Sequence, residues 1–385
     1  MKKQYKLLVL VLSIVLLVGA LAIFASADTT EVAQVGETKY TSLADAIAAA
    51  TETDTVTLIA DATLSASVEV YKNLTINLNN NTLKVEATQA FIMASASKVN
   101  VIGDGDVELA GTLVANTDKS MAFEFTMKGE DKGINVLHKG TGDGAKIVDT
   151  KAGTLNFENV EIVSTSTKED ANKVFFFTYS DSVDATLNFK NMSFYNGGVP
   201  AEQNALGFIR LNGDGKATIN NCNIYCGGTP IHVDTNASRD VNNVVVDVVD
   251  SHLEIISRDN DLRSNLIWTG GGNASANNVA LTIQFKNSFL GGQSYRGVHA
   301  HKVSKDQVHI IFDNSVMANN GANDTVKGSN NDNDTQFTRG AALFFKNGSS
   351  IVSANSVGIA ESGVINCEVG TRFSNLNATK SGYKW

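Results

Sequence analysis

Apolar and polar positions alternate with period two over many short stretches of this chain, and one such stretch keeps returning. It reads LeuAsnPheGluAsnValGluIle at Leu155 to Ile162 and LeuAsnPheLysAsnMetSerPhe at Leu187 to Phe194, and it returns around Asn221, Asp250, Asn287, Asn314 and Asn347. Aligned on the Asn (or Asp250), the residue two places earlier is Phe157, Phe189, Ile219, Val248, Phe285, Phe312 or Phe345. Four places earlier lie Leu155, Leu187, Ala217, Val246, Ile283, Ile310 and Leu343. The copies stand 27 to 37 residues apart. A fixed apolar column at that interval predicts a solenoid, whose coils bury side chains only by stacking on their neighbours.

The alternation predicts strands, and the repeat length leaves room for a second and third strand per coil, such as Gly207 to Leu211, Thr229 to Val233, Asn265 to Thr269 and Gly297 to Val303. An antiparallel sandwich is the competing reading of the many turn signals, but the Asn-centred phrase keeps one orientation throughout. Only two prolines occur, Pro200 and Pro230, as suits a ladder that needs its amide donors. The Asn tolerates the left-handed conformation of a tight bend, and stacked Asn side chains would form an inward polar ladder. Near the start, Tyr40 to Thr51 reads as an amphipathic helix with Ser42 as N-cap and Leu43, Ala46, Ile47 and Ala50 on one face. Such a helix would cap the open end of the first coil.

The segment TyrThrSerLeuAlaAspAlaIle from Tyr40, the strand AspThrValThrLeuIle from Asp54, and AsnLeuThrIleAsnLeuAsnAsnAsnThrLeu from Asn73 resemble the start of pectin-lyase-like domains of bacterial secreted and surface proteins. The resemblance implies an all-β chain folded as a right-handed parallel β-helix solenoid. About ten coils are expected, giving a rod of roughly 50 Å at the inter-strand spacing of ~4.8 Å. The expected division is a signal peptide at 1–27, an N-terminal cap at 28–57, the β-helix at 58–373 and a C-terminal tail at 374–385.

Composition adds the compartment. A basic start, an apolar run from Leu7 to Phe24 and an AlaSerAla site before Asp28 are the parts of a secretory signal peptide, with an uncleaved anchor as the alternative. Cleavage removes Lys2, Lys3 and Lys6 and takes the net charge from −9 to −12. That charge disfavours nucleic acid, and the expected localisation is secreted or extracellular, with no membrane contact after cleavage. A polyanionic ligand would need a local basic patch. The odd cysteine count (Cys222, Cys226 and Cys367) argues against a disulfide framework. Cys222 and Cys367 each follow an Asn and are expected in the core as small hydrophobes.

The resemblance is silent on activity, because this fold carries lyases, hydrolases, adhesins and inert stalks. The chain has no Asp-Asp pair, no Gly-His-Gly and no Arg-x-Lys, which polygalacturonase-like hydrolases carry, and no Arg-x-Pro-x-x-Arg of pectate-lyase-like enzymes. The expected function is therefore non-catalytic binding or adhesion, contacting carbohydrate. A divergent polysaccharide lyase or glycoside hydrolase and a structural spacer are the alternatives. The candidate ligand-binding residues form an outward row: Arg210, His232, Asp234, Trp268, Tyr295, Arg296, His299 and His301. An aromatic ring beside Arg, Asp and His offers the flat apolar face and planar hydrogen-bonding groups that a sugar needs. An ordinary solvated sheet face is the plain alternative. No cofactor is expected, except that Asp324, Asp332 and Asp334 in an Asn-rich loop could offer oxygen ligands to calcium, against a plain insertion.

Overall fold

The computed structural model of the chain describes residues 30–118, 120–140, 146–166, 174–178, 185–196, 207–212, 214–234, 242–256, 265–269, 279–292, 296–300, 306–319, 336–339, 341–353, 358–360 and 364–375. It is an all-β solenoid made of three parallel ladders. The first ladder begins at Thr55–Leu58 and runs through Leu74–Asn77, Lys98–Ile102 and Glu124–Lys128 to Val364–Cys367. The second begins at Ala62–Leu64 and ends at Arg372–Asn375. The third is an eleven-stranded sheet from Val68–Val70 to Gly358–Ala360. Each turn of the chain contributes one strand to each ladder in order, as the sequence pattern predicts.

The aligned Phe positions form one continuous interior column, Met127 on Phe157 on Phe189 on Ile219 on Val248 on Phe285 on Phe312 on Phe345. Phe285, Phe312 and Phe345 stack with centroids 4.8 Å apart and planes within 6°. That separation is the inter-strand spacing itself, so the backbone ladder sets the ring stack. Each ring is fully buried, which stabilises by roughly 1.5–3 kcal/mol, and stacking adds ~0.5–1.5 kcal/mol. Burial of the column therefore outweighs the ring geometry.

The Asn of the repeat turns the chain between the first and second ladders. Asn159, Asn191, Asn221, Asp250, Asn287, Asn314 and Asn347 all have φ between 47° and 56°. In Thr154–Ser164 the buried positions are Leu155 and Phe157 before the turn, and Val160 and Ile162 after it. The left-handed residue thus shifts the alternation by one place, so that both strands face the same core. The amides link coil to coil, Asn221 Nδ2 donating to Asn191 Oδ1 at 2.8 Å and Asn314 Nδ2 to Asn287 Oδ1 at 2.9 Å. This ladder is solvent-exposed, not inward as expected. A left-handed corner points its side chain away from the core.

The inward polar ladder lies one or two residues further on. Ser251, Ser288, Ser315 and Ser349 are buried, and each hydroxyl accepts from the backbone N–H of the preceding coil. Each also donates to a nearby carbonyl, as Ser288 does to Lys286 O at 2.7 Å. Cys222 holds the same place one coil earlier and donates its thiol to Asn220 O at 3.2 Å.

At the N-terminal end the helix is Leu43–Ala49, with the Ser42 side chain accepting from Asp45 N at 3.1 Å, as the capping pattern predicts. Leu43, Ala46, Ile47 and Ala50 are its buried face. A hairpin of Ala33–Val35 and Thr38–Tyr40 joins it, and Ala33–Val35 pairs antiparallel with Thr55–Leu58. The first ladder's edge is therefore covered by a strand, while the helix packs on the hairpin and on Ala62–Leu64 of the second ladder.

Cys367 departs from expectation. It registers on Phe345, so Asn366 lies opposite Phe344 and is not a corner Asn. The thiol is exposed. Its strand is the last described one in the first ladder, so no further described coil covers it.

Two predictions follow from the ladders. Ser288→Ala leaves the buried Ser251 N–H without its acceptor, which costs about 1–3 kcal/mol. Cys222→Ser, which extends the hydroxyl ladder by one coil, should change stability by less than about 1 kcal/mol; urea unfolding of both variants reads the contrast. On the first ladder, Glu158 bridges Lys190 at 2.8 Å and Lys128 at 3.1 Å. Hydrogen bonds from Lys190 and then Lys128 hold its pKa below the usual glutamate range. Its contribution is complete above that range and is lost as pH falls through the depressed folded value. Glu158→Gln should therefore lose less stability on acidification than wild type, as denaturant midpoints across acid pH would show.

Candidate functional site

The third ladder alternates inward Ile209, Ile231, Ile267 and Val298, all fully buried, with an outward row. Backbone register sets Arg210 on His232, His232 on Trp268, and Trp268 on His299. Four of the expected residues thus share one line across four adjacent strands, over ~14 Å at the inter-strand spacing. Arg339, which sequence reasoning missed, takes the next register position beyond His299. Little in the sequence signals it, because Gln336–Arg339 is polar at three of four positions and its register shifts between Gln336 and Thr338.

Geometry ties the row together. His232 and Trp268 have ring centroids 4.2 Å apart at 55°, and the indole meets His299 edge-on at 6.4 Å and 84°. His232 is 9% exposed, packed down beside the indole, whereas Arg210, Trp268 and His299 are half-buried. The row therefore offers an indole between two imidazoles, with a guanidinium at one end. Such a set can contact an apolar ring face and hydrogen-bond hydroxyl or carboxylate oxygens.

Asp234 registers on Asn212, on the strand that carries His232. Arg296 registers on Asn265 and is the first residue of the strand Arg296–Ala300, not part of the preceding turn. Tyr295, His301, Asp324, Asp332 and Asp334 lie outside the described residues, and with them the candidate calcium loop. Among the described residues no three His, Cys, Asp or Glu side chains cluster as metal ligands.

Carboxylates matter for the enzymatic alternative, since glycoside hydrolysis needs two of them flanking the scissile bond. Asp149 precedes the row, two strands from Arg210 in register, and pairs with Lys146 at 2.7 Å. Glu69, further along the same ladder, accepts a hydrogen bond from Tyr71. Among the described side chains, no carboxylate pair brackets the Arg210–His299 row.

Nucleophilic cysteine chemistry is equally unsupported by position. Burial pushes the Cys222 thiol up to about 11 and that of Cys226 up to about 12. Cys367 is exposed, though partial desolvation also raises its pKa. A thiol needs its thiolate form to react.

No helix among the described residues is long and apolar enough to cross a membrane. No protein-family model, curated protein or solved structure matches the chain.

In the native protein, titration with a thiol-reactive disulfide reagent at mildly alkaline pH should modify Cys367 alone. Cys222 and Cys226 should react only after denaturant is added; early reaction of either would show that the coils open locally.

Proposed function

We propose that this chain is a secreted module that binds an extracellular acidic glycan without cleaving it, through the outward row of the third ladder. The observation that carries this reading is the shared register of Arg210, His232, Trp268 and His299. Aromatic, imidazole and guanidinium groups recurring on four adjacent strands form a line, and a line suits a polymer. The leader-cleaved chain carries −12 charges, so a polyanion would be repelled from most of the surface. Arg210, at one end of the row, supplies a local cation of the kind that such a ligand requires.

The finer architecture belongs to the same proposal. Eleven strands in the third ladder support a count near ten coils. The capping helix and strand order support a right-handed parallel β-helix of the pectin-lyase-like kind, since parallel crossover connections are almost always right-handed. Secretion rests on the leader pattern of the first 27 residues.

Affinity electrophoresis through gels containing polygalacturonate or alginate tests the reading. Wild-type protein should be retarded, and Trp268→Ala should weaken retardation about tenfold, the effect of losing ~1.4 kcal/mol of binding. Reducing ends and unsaturated sugars should stay at background in the same mixtures. New product would replace the binding reading with an enzyme. Absence of retardation on every acidic glycan would leave a spacer.

A further inference from the structure

A second outward line lies on the second ladder, on a different face from the row above. Asn223, His252, Phe289 and Val316 stand in register on successive strands, while Ile224, Leu253, Leu290 and Met317 beside them fill the core. The His252 and Phe289 rings are parallel, 4.4 Å apart and within 9°. His252 Nε2 lies 2.8 Å from Glu254 Oε2, which fixes the imidazole's orientation. Gly291 makes the stack possible. A Cβ there would come within 2.5 Å of the Phe289 ring and 2.9 Å of Ala318 O, so a side chain would displace the ring.

Facing this wall across a groove is the corner ladder of Asp250, Asn287 and Asn314, with Ser251 and Ser288 between. Asn287 Nδ2 donates to Asp250 Oδ1 at 3.0 Å, and Asn314 Nδ2 donates to Asn287 Oδ1 at 2.9 Å. Each amide carries a second N–H beyond that bond. The groove therefore has one wall in which the His252–Phe289 ring stack lies between Asn223 and Val316, and one wall of amides and a carboxylate. It runs along the rod, and both walls repeat at the inter-strand spacing.

We propose that this groove is a second saccharide site, taking an uncharged linear oligosaccharide that lies along the rod axis. A ring stack opposite a few fixed polar groups on an open surface matches the apolar ring face and hydroxyl rim of a pyranose. Charge selects the class. Asp250 lines the groove and Glu254 stands beside His252, whereas no Lys or Arg among the described residues lines it. A polyuronate or phosphate would meet a carboxylate with no lysine or arginine among the described lining residues to offset it. A peptide strand is disfavoured too, because the groove strands are hydrogen-bonded on both sides and leave no edge for β-addition. The repeat of donors and acceptors at one spacing suits a polymer of identical units.

The test is affinity electrophoresis of the full chain in gels containing hydroxyethyl cellulose, mixed-linkage β-glucan or galactomannan. At least one should retard the wild type. Phe289→Ala should weaken that retardation about tenfold, a change of ~1.4 kcal/mol, and Phe289→Tyr should restore most of it. Trp268→Ala should leave it unchanged, so loss of the third-ladder reading and loss of this one are separable. Asn223 is exposed, so Asn223→Lys should fold normally and obstruct the groove even if Phe289→Ala does not fold. No retardation in any of the three gels would overturn the proposal. So would wild-type behaviour of a folded Phe289→Ala or of Asn223→Lys, or loss of neutral binding in Trp268→Ala.

Discussion

Between its first and second strands, every coil must change direction without turning its core side out. A strand alternates faces with period two, so a bend that consumed no residue or two residues would leave the phase as it was. Here the inward positions step from Phe157 to Val160, an odd interval. A single left-handed residue, Asn159 at φ 56°, absorbs the odd step. A slip of one residue would send Val160 and Ile162 into solvent. Left-handed geometry costs an ordinary residue roughly 1–2 kcal/mol, and Asn is the residue that tolerates it best. Coil-to-coil amide bonds of about 0.5–1.5 kcal/mol each then offset much of what remains. The same corner recurs at Asn191, Asn221, Asp250, Asn287, Asn314 and Asn347, and glycine takes the left-handed position at Gly103 and Gly133. The core column, the serine ladder and both outward lines inherit their register from it.

That dependence explains what the sequence made legible. The Asn and the apolar residue two places before it could be read directly, because one geometric need repeats at seven successive coils and admits few residue types. The third-ladder strands could be read for a related reason: Ile231 and Val233, or Val298 and Ala300, alternate with polar neighbours in runs too short for a helix. The direction of the Asn side chains could not be read, because alternation fails at a left-handed residue and it was the wrong guide there. Cys367 was misplaced by a local match: Asn366 precedes it as Asn221 precedes Cys222, but the last described strand pairs one phrase out of step, Cys367 falling on Phe345. The hairpin at Ala33–Tyr40 was missed since three-residue strands carry almost no periodic signal. The candidate row was legible as four residues of three types on four strands. Its alignment in one line depends on loop lengths between coils, which vary from copy to copy and leave no pattern.

The serine column shows how a buried polar group becomes part of a solenoid. A lone buried hydroxyl is a liability unless it is hydrogen-bonded. Stacking makes it self-satisfying, since each hydroxyl accepts from the coil before and donates to a carbonyl beside it. Val160 and Met192 fill the same column in the earlier coils, and Cys222 stands between the two regimes. Its thiol donates to Asn220 O as a serine would, yet its size and burial are those of a small hydrophobe. The column therefore changes from dispersion to hydrogen bonding without a break in register.

The two outward lines follow from the same stacking but differ in charge. In a parallel ladder a residue type repeated at one position becomes a line along the rod, with its groups set at the inter-strand spacing. Third-ladder positions hold Arg210, His232, Trp268 and His299 in line, so a guanidinium leads a run of three aromatic rings. Second-ladder positions hold Asn223, His252 and Phe289 opposite Asp250, so aromatic groups face an amide wall and a carboxylate. Neither face needs a loop to position its residues. Both are held by strands whose hydrogen bonds are complete, so the side chains are ordered before any ligand arrives. Binding then costs less ordering entropy than it would on a flexible loop. A rod of this kind gains selectivity through which residue type is repeated on which ladder. On the binding reading proposed above, Asp250 and Glu254 beside the second line would repel a polyanion that the Arg210 row attracts.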